Sequence, residues 1–133
     1  EGTLLTSLAA LGVAPADVDV VVNTHLHFDH SGWNTVVGPH EGTFAPTFPN
    51  ATYVINAQEW EDATHPNERT RATYLDRNVA PIADRLRLVD GEYAITDELK
   101  FVPVPGHTAG HRNDLPGRGQ RRRRSSACSR IAS

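Results

Sequence analysis

The sequence contains one cysteine, Cys128, and no methionine among its 133 residues. A single thiol excludes an internal disulfide and favours a reducing, cytoplasmic setting. No apolar run reaches the ~20 residues that a membrane-spanning helix needs. No basic-then-apolar signal segment opens the chain. Because no long apolar run is present, we expect no membrane partner. Because the chain starts at Glu1 and contains no methionine, we expect its natural N-terminus to lie further upstream.

Basic residues are scarce in most of the chain. Residues 1–111 hold six Lys and Arg against fifteen Asp and Glu, whereas residues 112–133 hold seven Arg and one acid, Asp114. Nucleic-acid binding requires a basic surface, so the acidic body argues against nucleic acid as the main partner. The composition leaves the oligomeric state unknown.

Strands and helices are predicted to alternate along the chain. Leucines at helical spacing predict a helix over residues 3–11, and five nearly all-apolar, β-branched residues predict a buried strand over 18–22. Further strands are predicted at 52–55, 86–89 and 99–104, and further helices at 57–63 and 68–78. This alternation predicts an α/β or layered α+β fold.

Four potential metal ligands follow the first predicted strand directly: His25, His27, Asp29 and His30. Alternation along an extended chain puts His25 and His27 on the same side. Imidazole nitrogens and carboxylate oxygens are ligands that zinc favours, at about 2.0–2.2 Å. Burying such groups unpaired is costly, so their place at the end of a buried strand favours a metal site over a His-rich surface loop.

A second histidine segment, Pro-Gly-His-Thr-Ala-Gly-His, occupies residues 105–111 and also follows an apolar strand. Its glycines permit a sharp turn and a close approach of the backbone to a ligand. By itself, His107 is either a ligand or a loop histidine paired with its surroundings.

The pattern His-x-His-x-Asp-His after a Val-rich strand, followed by Gly-His-Thr-x-Gly-His, resembles the metallo-β-lactamase superfamily. The resemblance covers residues 1–111 and implies part of an αβ/βα sandwich with two zinc ions. It assigns the first metal to His25, His27 and His107, and the second to Asp29 and His30. His111 is expected to support the ligands from behind. A metal centre of this kind requires the His107 ring to lie beside those of His25 and His27.

The resemblance implies a zinc-dependent hydrolase of ester, lactone, thioester or amide bonds in a small-molecule substrate. Two metals about 3.5–4 Å apart share a hydroxide that attacks the carbonyl. Asp29 is the expected catalytic residue, because it helps to position that hydroxide. The pair Trp33-Asn34 and the insertion at 41–50 favour a lactonase-like member, such as one acting on acyl-homoserine lactones.

Two alternatives remain open. A mononuclear iron sulfur dioxygenase of the same fold is one, although His27 stands where the related di-iron redox branch carries Glu. The other is an inactive metal-binding fragment, because residues 112–133 offer no match for the bridging Asp and the distant His that the family carries.

Residues 112–133 look foreign to this fold. We expect a basic tail that is either disordered or the product of a frameshift. Codons for Arg-Asn-Asp-Leu-Pro-Gly, read one base later, can encode Val-Thr-Ile-Ser-Leu-Ala, a good strand. The alternative is a natural Arg-rich tail that contacts nucleic acid or acidic surfaces.

Several other polar or aromatic residues are assigned no role in the site. His40 and His65 are expected to be solvated, and Tyr74 is expected to serve packing. The acidic residues early in the helix predicted at 57–63 are interpreted as complementing its dipole.

Overall fold

The computed structural model describes residues 3–116 and 131–132. Its strands are β1 (Val20–Val22), β2 (Thr35–Val37), β3 (Phe44–Pro46), β4 (Thr52–Asn56), β5 (Leu86–Val89), β6 (Tyr93–Thr96), β7 (Leu99–Pro103), β8 (Arg112–Pro116) and β9 (Ile131–Ala132). Its α-helices are α1 (Leu4–Ala10), α2 (Phe28–Ser31), α3 (Ala57–Thr64) and α4 (Asp76–Val79), and 3-10 turns span Pro15–Asp17, Gly32–Asn34 and Ala80–Arg85.

A parallel sheet in the order β5-β4-β1-β9 forms the centre of the fold. β1 pairs with β4 in the register Val20 with Thr52, and β4 pairs with β5 in the register Tyr53 with Leu86. An antiparallel sheet, β6-β7-β8, and a hairpin, β2-β3, complete the strand pairing of the described chain. The predicted mixed α/β fold is therefore confirmed.

The central sheet is buried on both faces. On one face, Val21 packs in a core with Tyr53 and Ile55, against which α1 lays Leu4 and Leu8. On the other face, Val22, Val54 and Val89 pack against Phe101 of β7. A strand buried on both sides needs apolar residues at consecutive positions, which explains the valine run of β1.

The helix predicted at 68–78 is wrong over most of its length. Residues 68–73 form turns, and α4 is limited to Asp76–Val79. Asn67 Oδ1 accepts hydrogen bonds from the backbone N–H groups of Arg69, at 2.9 Å, and Thr70, at 3.1 Å. Local side-chain bonds of this kind compete with the helical ladder.

The basic tail begins inside the folded part of the chain. Arg112–Pro116 form β8, which pairs antiparallel with β7 in the register Phe101 with Asp114. Ile131–Ala132 pair parallel with β1. Residues 117–130 and 133 lie outside the described part, so the tail's disorder or frameshift there stays a prediction.

Candidate metal centre

The histidine clusters meet at the carboxyl ends of β1 and β4, the edge where parallel sheets commonly bind ligands. Beyond β1, the Asn23 N–H donates to Val54 O at 3.2 Å, which keeps the chain beside β4 up to His25. The Arg112 N–H donates to Thr24 O at 2.9 Å, which ties the start of β8 to the same edge. The loop between β7 and β8, which carries His107, is thereby held next to the first cluster.

His25, His27 and His107 converge on one point. Their ring centroids are 4.9 Å apart for His25 and His27, 4.8 Å for His25 and His107, and 4.9 Å for His27 and His107. His27 Nδ1 lies 3.2 Å from His107 Nε2. Two nitrogens bound to one tetrahedral zinc at about 2.0–2.1 Å are roughly 3.3 Å apart. The arrangement required of His107 is thus met.

The residues present fit a metal ion. His25 is 2% exposed, and its buried Nε2 has no hydrogen-bond partner within the described residues. Its other nitrogen, Nδ1, lies 3.2 Å from Thr24 Oγ1. A buried ring nitrogen without a partner is costly, and a metal held jointly with His27 and His107 removes that cost. The three histidines are therefore able to bind a metal.

The local environment favours the neutral form of His25 and His27, which is the form that binds metals. Burial, followed by the neighbouring His30, lowers the pKa of His25 to about 4. Burial, followed by His107, lowers the pKa of His27, against an opposing effect of Glu59. Mutual repulsion among clustered imidazolium groups favours their deprotonation before a metal binds.

Asp29 and His30 lie on α2, outside the group formed by the three histidines. Their side chains are 62% and 51% exposed, and His30 Nε2 lies 3.5 Å from Asp29 Oδ2. The His30 ring centroid is 4.1 Å from that of His25, so α2 borders the centre. Their assignment to a second metal stays a prediction.

His111 borders the centre from the base of the β7–β8 hairpin. Its Nδ1 lies 3.1 Å from Val104 O, and its ring centroid is 5.1 Å from that of His25. The backbone bond from Val104 N–H to His111 O, at 2.8 Å, closes the same loop. His111 therefore lies beside the three histidines, and its supporting role stays a prediction.

Sequence reasoning missed Glu59, a buried acid in the first turn of α3. Its carboxylate accepts hydrogen bonds from the Leu26 N–H at 2.8 Å, Tyr74 Oη at 3.1 Å and Thr108 Oγ1 at 2.6 Å. Tyr74 also packs on His27, with ring centroids 5.1 Å apart. An acid early in a helix is ordinarily a dipole partner. A burial signal for Glu59 was present in the sequence, because its helix follows directly from a buried strand.

An open cavity of about 300 Å³ adjoins the centre on the side of His27 and His107. Its other lining residues are mostly polar: Asp62, His65, Asn67, Arg69, Thr70, Thr73, Tyr74, Thr108 and Ala109. His65 is exposed, as expected for a solvated histidine, and it lines this cavity. Its Nδ1 lies 3.3 Å from Glu61 Oε1. A small molecule entering the cavity reaches two of the three clustered histidines, His27 and His107.

A layered α/β fold with histidines from two distant segments at the end of its central sheet defines a metal-binding protein. The chain belongs to the metallo-beta-lactamase superfamily, whose sequence model matches residues 1–112.

Three known proteins show the closeness of this relationship. The chain is 33% identical over 117 residues to the N-acyl homoserine lactonase AttM of Azorhizobium caulinodans, covering 84% of this chain and 40% of that protein. A probable metal-dependent hydrolase from Staphylococcus aureus superimposes with a TM-score of 0.75 at 31% identity, over 84% of this chain and 39% of the other.

An N-acyl homoserine lactone hydrolase superimposes with a TM-score of 0.65 at 26% identity, over 84% of this chain and 38% of the other. That structure holds the product N-hexanoyl-L-homoserine at its catalytic metal centre. The chain thus spans about two fifths of the length of these relatives.

No helix in residues 3–116 or 131–132 is long and apolar enough to cross a membrane.

Proposed function

We propose that this chain carries the first metal site of a zinc-dependent hydrolase that opens N-acyl homoserine lactones. The observation that carries the proposal is the convergence of His25, His27 and His107, with His27 Nδ1 3.2 Å from His107 Nε2. Three histidines with a fourth position left open are the ligand set of a catalytic zinc, whereas structural zinc sites are closed by four protein ligands.

When bound there, zinc would supply Lewis-acid polarisation of a carbonyl and a water whose pKa is lowered towards neutrality. His25, His27 and His107 would hold it through their neutral rings. We assign Asp29 and His30 to a second zinc. The exposed Asp29 carboxylate would also orient the attacking water by accepting its hydrogen bond.

The cavity beside His27 and His107 supports a substrate of this class. Arg69 and His65 line it, and both side chains carry N–H groups that can donate hydrogen bonds. An acyl homoserine lactone presents an ester carbonyl and an amide carbonyl, and its opened product adds a carboxylate. A cationic donor such as Arg69 suits both the carbonyls and the product carboxylate.

The relatives support the choice of lactone over other esters. Several proteins at 26–33% identity are named N-acyl homoserine lactonases. The hydrolase structure with N-hexanoyl-L-homoserine at its metal centre is one of the similar folds. This chain spans about two fifths of the length of those proteins, so its own lactonase activity requires a separate measurement.

The test uses the 133-residue chain, loaded with zinc and compared with chelator-treated and iron-loaded samples. We expect bound zinc, up to two ions per chain, and opening of N-hexanoyl homoserine lactone followed by mass spectrometry. The chelator should abolish the reaction and added zinc should restore it. One tightly bound iron without lactone opening would favour the dioxygenase alternative. No bound metal and no secondary structure by circular dichroism would mark an inert fragment.

A further inference from the structure

We propose that Glu59 is a positioning residue that holds the two histidine segments together and supplies the buried negative charge that balances a bound cation. The inference rests on the proposed metal centre and deepens it. The Glu59 carboxylate forms its hydrogen bonds with Leu26, Tyr74 and Thr108 rather than with a ring nitrogen of the three histidines. It therefore acts through residues that lie beside those histidines. Neither of the two histidine motifs that carry the family resemblance includes Glu59.

Glu59 connects segments that are far apart in the chain. Its Oε1 accepts from the N–H of Leu26, which stands between His25 and His27, at 2.8 Å. Its Oε2 accepts from the hydroxyl of Thr108, which follows His107, at 2.6 Å. One carboxylate therefore holds the backbone between His25 and His27 and the side chain of the residue that follows His107.

The position of Glu59 is itself rigidly set. It lies in the first turn of α3, where the Asn56 side chain accepts from its N–H at 3.1 Å. The backbone of Gly110 packs directly on it, leaving no room for a Cβ. Tyr74 Oη donates to Oε1 at 3.1 Å, so the tyrosine that packs on His27 is anchored to the same group.

Within the described part of the chain, Glu59 takes part in no ion pair with Lys, Arg or His. The side chain is 0% exposed, and all its described partners are neutral donors. Burying a lone carboxylate is costly, and a cation nearby offsets that cost. A divalent metal ion held by the three neutral histidines would supply the positive charge that balances the Glu59 carboxylate.

Two substitutions separate geometry from charge. Glu59→Ala removes all three hydrogen bonds and leaves the Leu26 N–H buried. Glu59→Gln keeps the shape, because its amide oxygen can face Leu26 and Tyr74 while its NH₂ donates to the Thr108 hydroxyl. Glu61→Gln removes the same charge from an exposed position of α3 and is the matched control.

The experiment measures zinc dissociation constants by competition with a chromophoric chelator, with circular dichroism and thermal unfolding of the metal-free variants in parallel. We expect Glu59→Ala to weaken zinc binding about 10–100-fold, the usual effect of losing a residue that orients ligands. Glu59→Gln should fold like wild type and still bind zinc several-fold more weakly, whereas Glu61→Gln should bind like wild type.

Thr108→Val supplies an independent check, because it breaks the Oε2 contact and leaves the charge in place. Its effect should be smaller than that of Glu59→Ala, and the double variant should bind no more weakly than Glu59→Ala alone. A folded Glu59→Gln with the zinc affinity of Glu61→Gln would overturn the charge role of Glu59, and a folded Glu59→Ala with wild-type zinc affinity would overturn its positioning role. A wild-type chain that binds no zinc overturns the metal centre as well, whereas zinc binding without lactone opening overturns only the proposed substrate.

Discussion

Gly110 lies in direct contact with the start of α3, where a Cβ at position 110 would sit 2.7 Å from the backbone nitrogen of Glu59 and 2.8 Å from its Cβ. Real side chains do not approach backbone this closely, so only glycine fits. The contact explains why the second histidine segment carries a glycine between Ala109 and His111. It also links the packing of α3 to the position of His107.

Gly110→Ala should therefore destabilise the protein by about 1–3 kcal/mol, the usual cost of overpacking a tight contact. Urea unfolding measures this, and zinc affinity should fall in the same variant because the loop must move away from Glu59. Gly32→Ala is the control, since a Cβ there meets nothing within 4 Å and its φ is −60°. Equal unfolding midpoints for both variants would contradict the packing argument.

Removal of one of the three clustered histidines should disrupt the proposed metal centre. His107→Ala is expected to weaken zinc binding by at least about 100-fold, because a ligand contributes more than the residues that orient it. The metal-free stability should change little, because His107 is exposed. Isothermal titration with zinc measures the affinity, with the exposed His40→Ala as a matched histidine control. Zinc binding of His107→Ala at wild-type strength would place the metal elsewhere.

Arg112 occupies a position of β8 that favours an apolar side chain. It is 1% exposed, its Nε and Nη2 have no hydrogen-bond partner among the described residues, and its Nη1 donates to Gly91 O. Its guanidinium also stacks on Phe101, 5.2 Å from the ring centroid. Arg112→Val should raise the free energy of unfolding by about 1–3 kcal/mol, because unsatisfied buried polar atoms are removed.

The exposed neighbour Asn113→Val is the control for this substitution and should give no comparable gain. The same measurement bears on the frameshift proposal. Arg112 and Asp114 share one side of β8, and the shifted reading places Val and Ile at these two positions. Sequencing the gene checks it independently, because an intact frame without an alternative strand would contradict a frameshift.

Asp114 should make stability depend on pH in an unusual direction. Burial raises the pKa of its carboxyl group, and Oδ1 has no partner within the described residues. An unfolded Asp titrates near a pKa of about 3.9. Below that value both states are protonated and no penalty exists, whereas above the folded pKa ionisation fully destabilises the native state.

Asp114→Asn should accordingly gain stability over wild type at pH 7 and lose that advantage as the pH falls towards about 4. Urea unfolding at several pH values measures the difference, with the exposed Asp84→Asn as the control. A constant difference between Asp114→Asn and wild type across this range would show that the carboxyl group titrates alike in both states.

Parts of the fold could be predicted because local patterns control them. The helix α1 and the strands β1 and β4 follow from leucine spacing and from β-branched runs. The helix expected at 68–78 failed because Asn67 captures two backbone N–H groups in a turn. The turn depends on the conformation of the Asn67 side chain, which the helical spacing of residues in the sequence does not reveal.

The roles of Glu59 and Tyr74 could not be predicted for a different reason. In the sequence, Glu59 is one acid among several at the start of a helix, and Tyr74 is one aromatic among core residues. Their function depends on the partners they meet, Leu26 and Thr108 for Glu59 and His27 for Tyr74. Those partners are 33 and 49 residues away from Glu59 in the chain.

Ligand chemistry and strand patterning are local properties, so the sequence alone predicts the kinds of ligand and the two segments that carry them. That His107 meets His25 and His27 follows from how the chain packs in three dimensions. That meeting depends on β1 lying beside β4 and on the Arg112 N–H bonding to Thr24 O at 2.9 Å. Side chains separated by 80 residues become neighbours only through sheet order and packing, which no local pattern encodes.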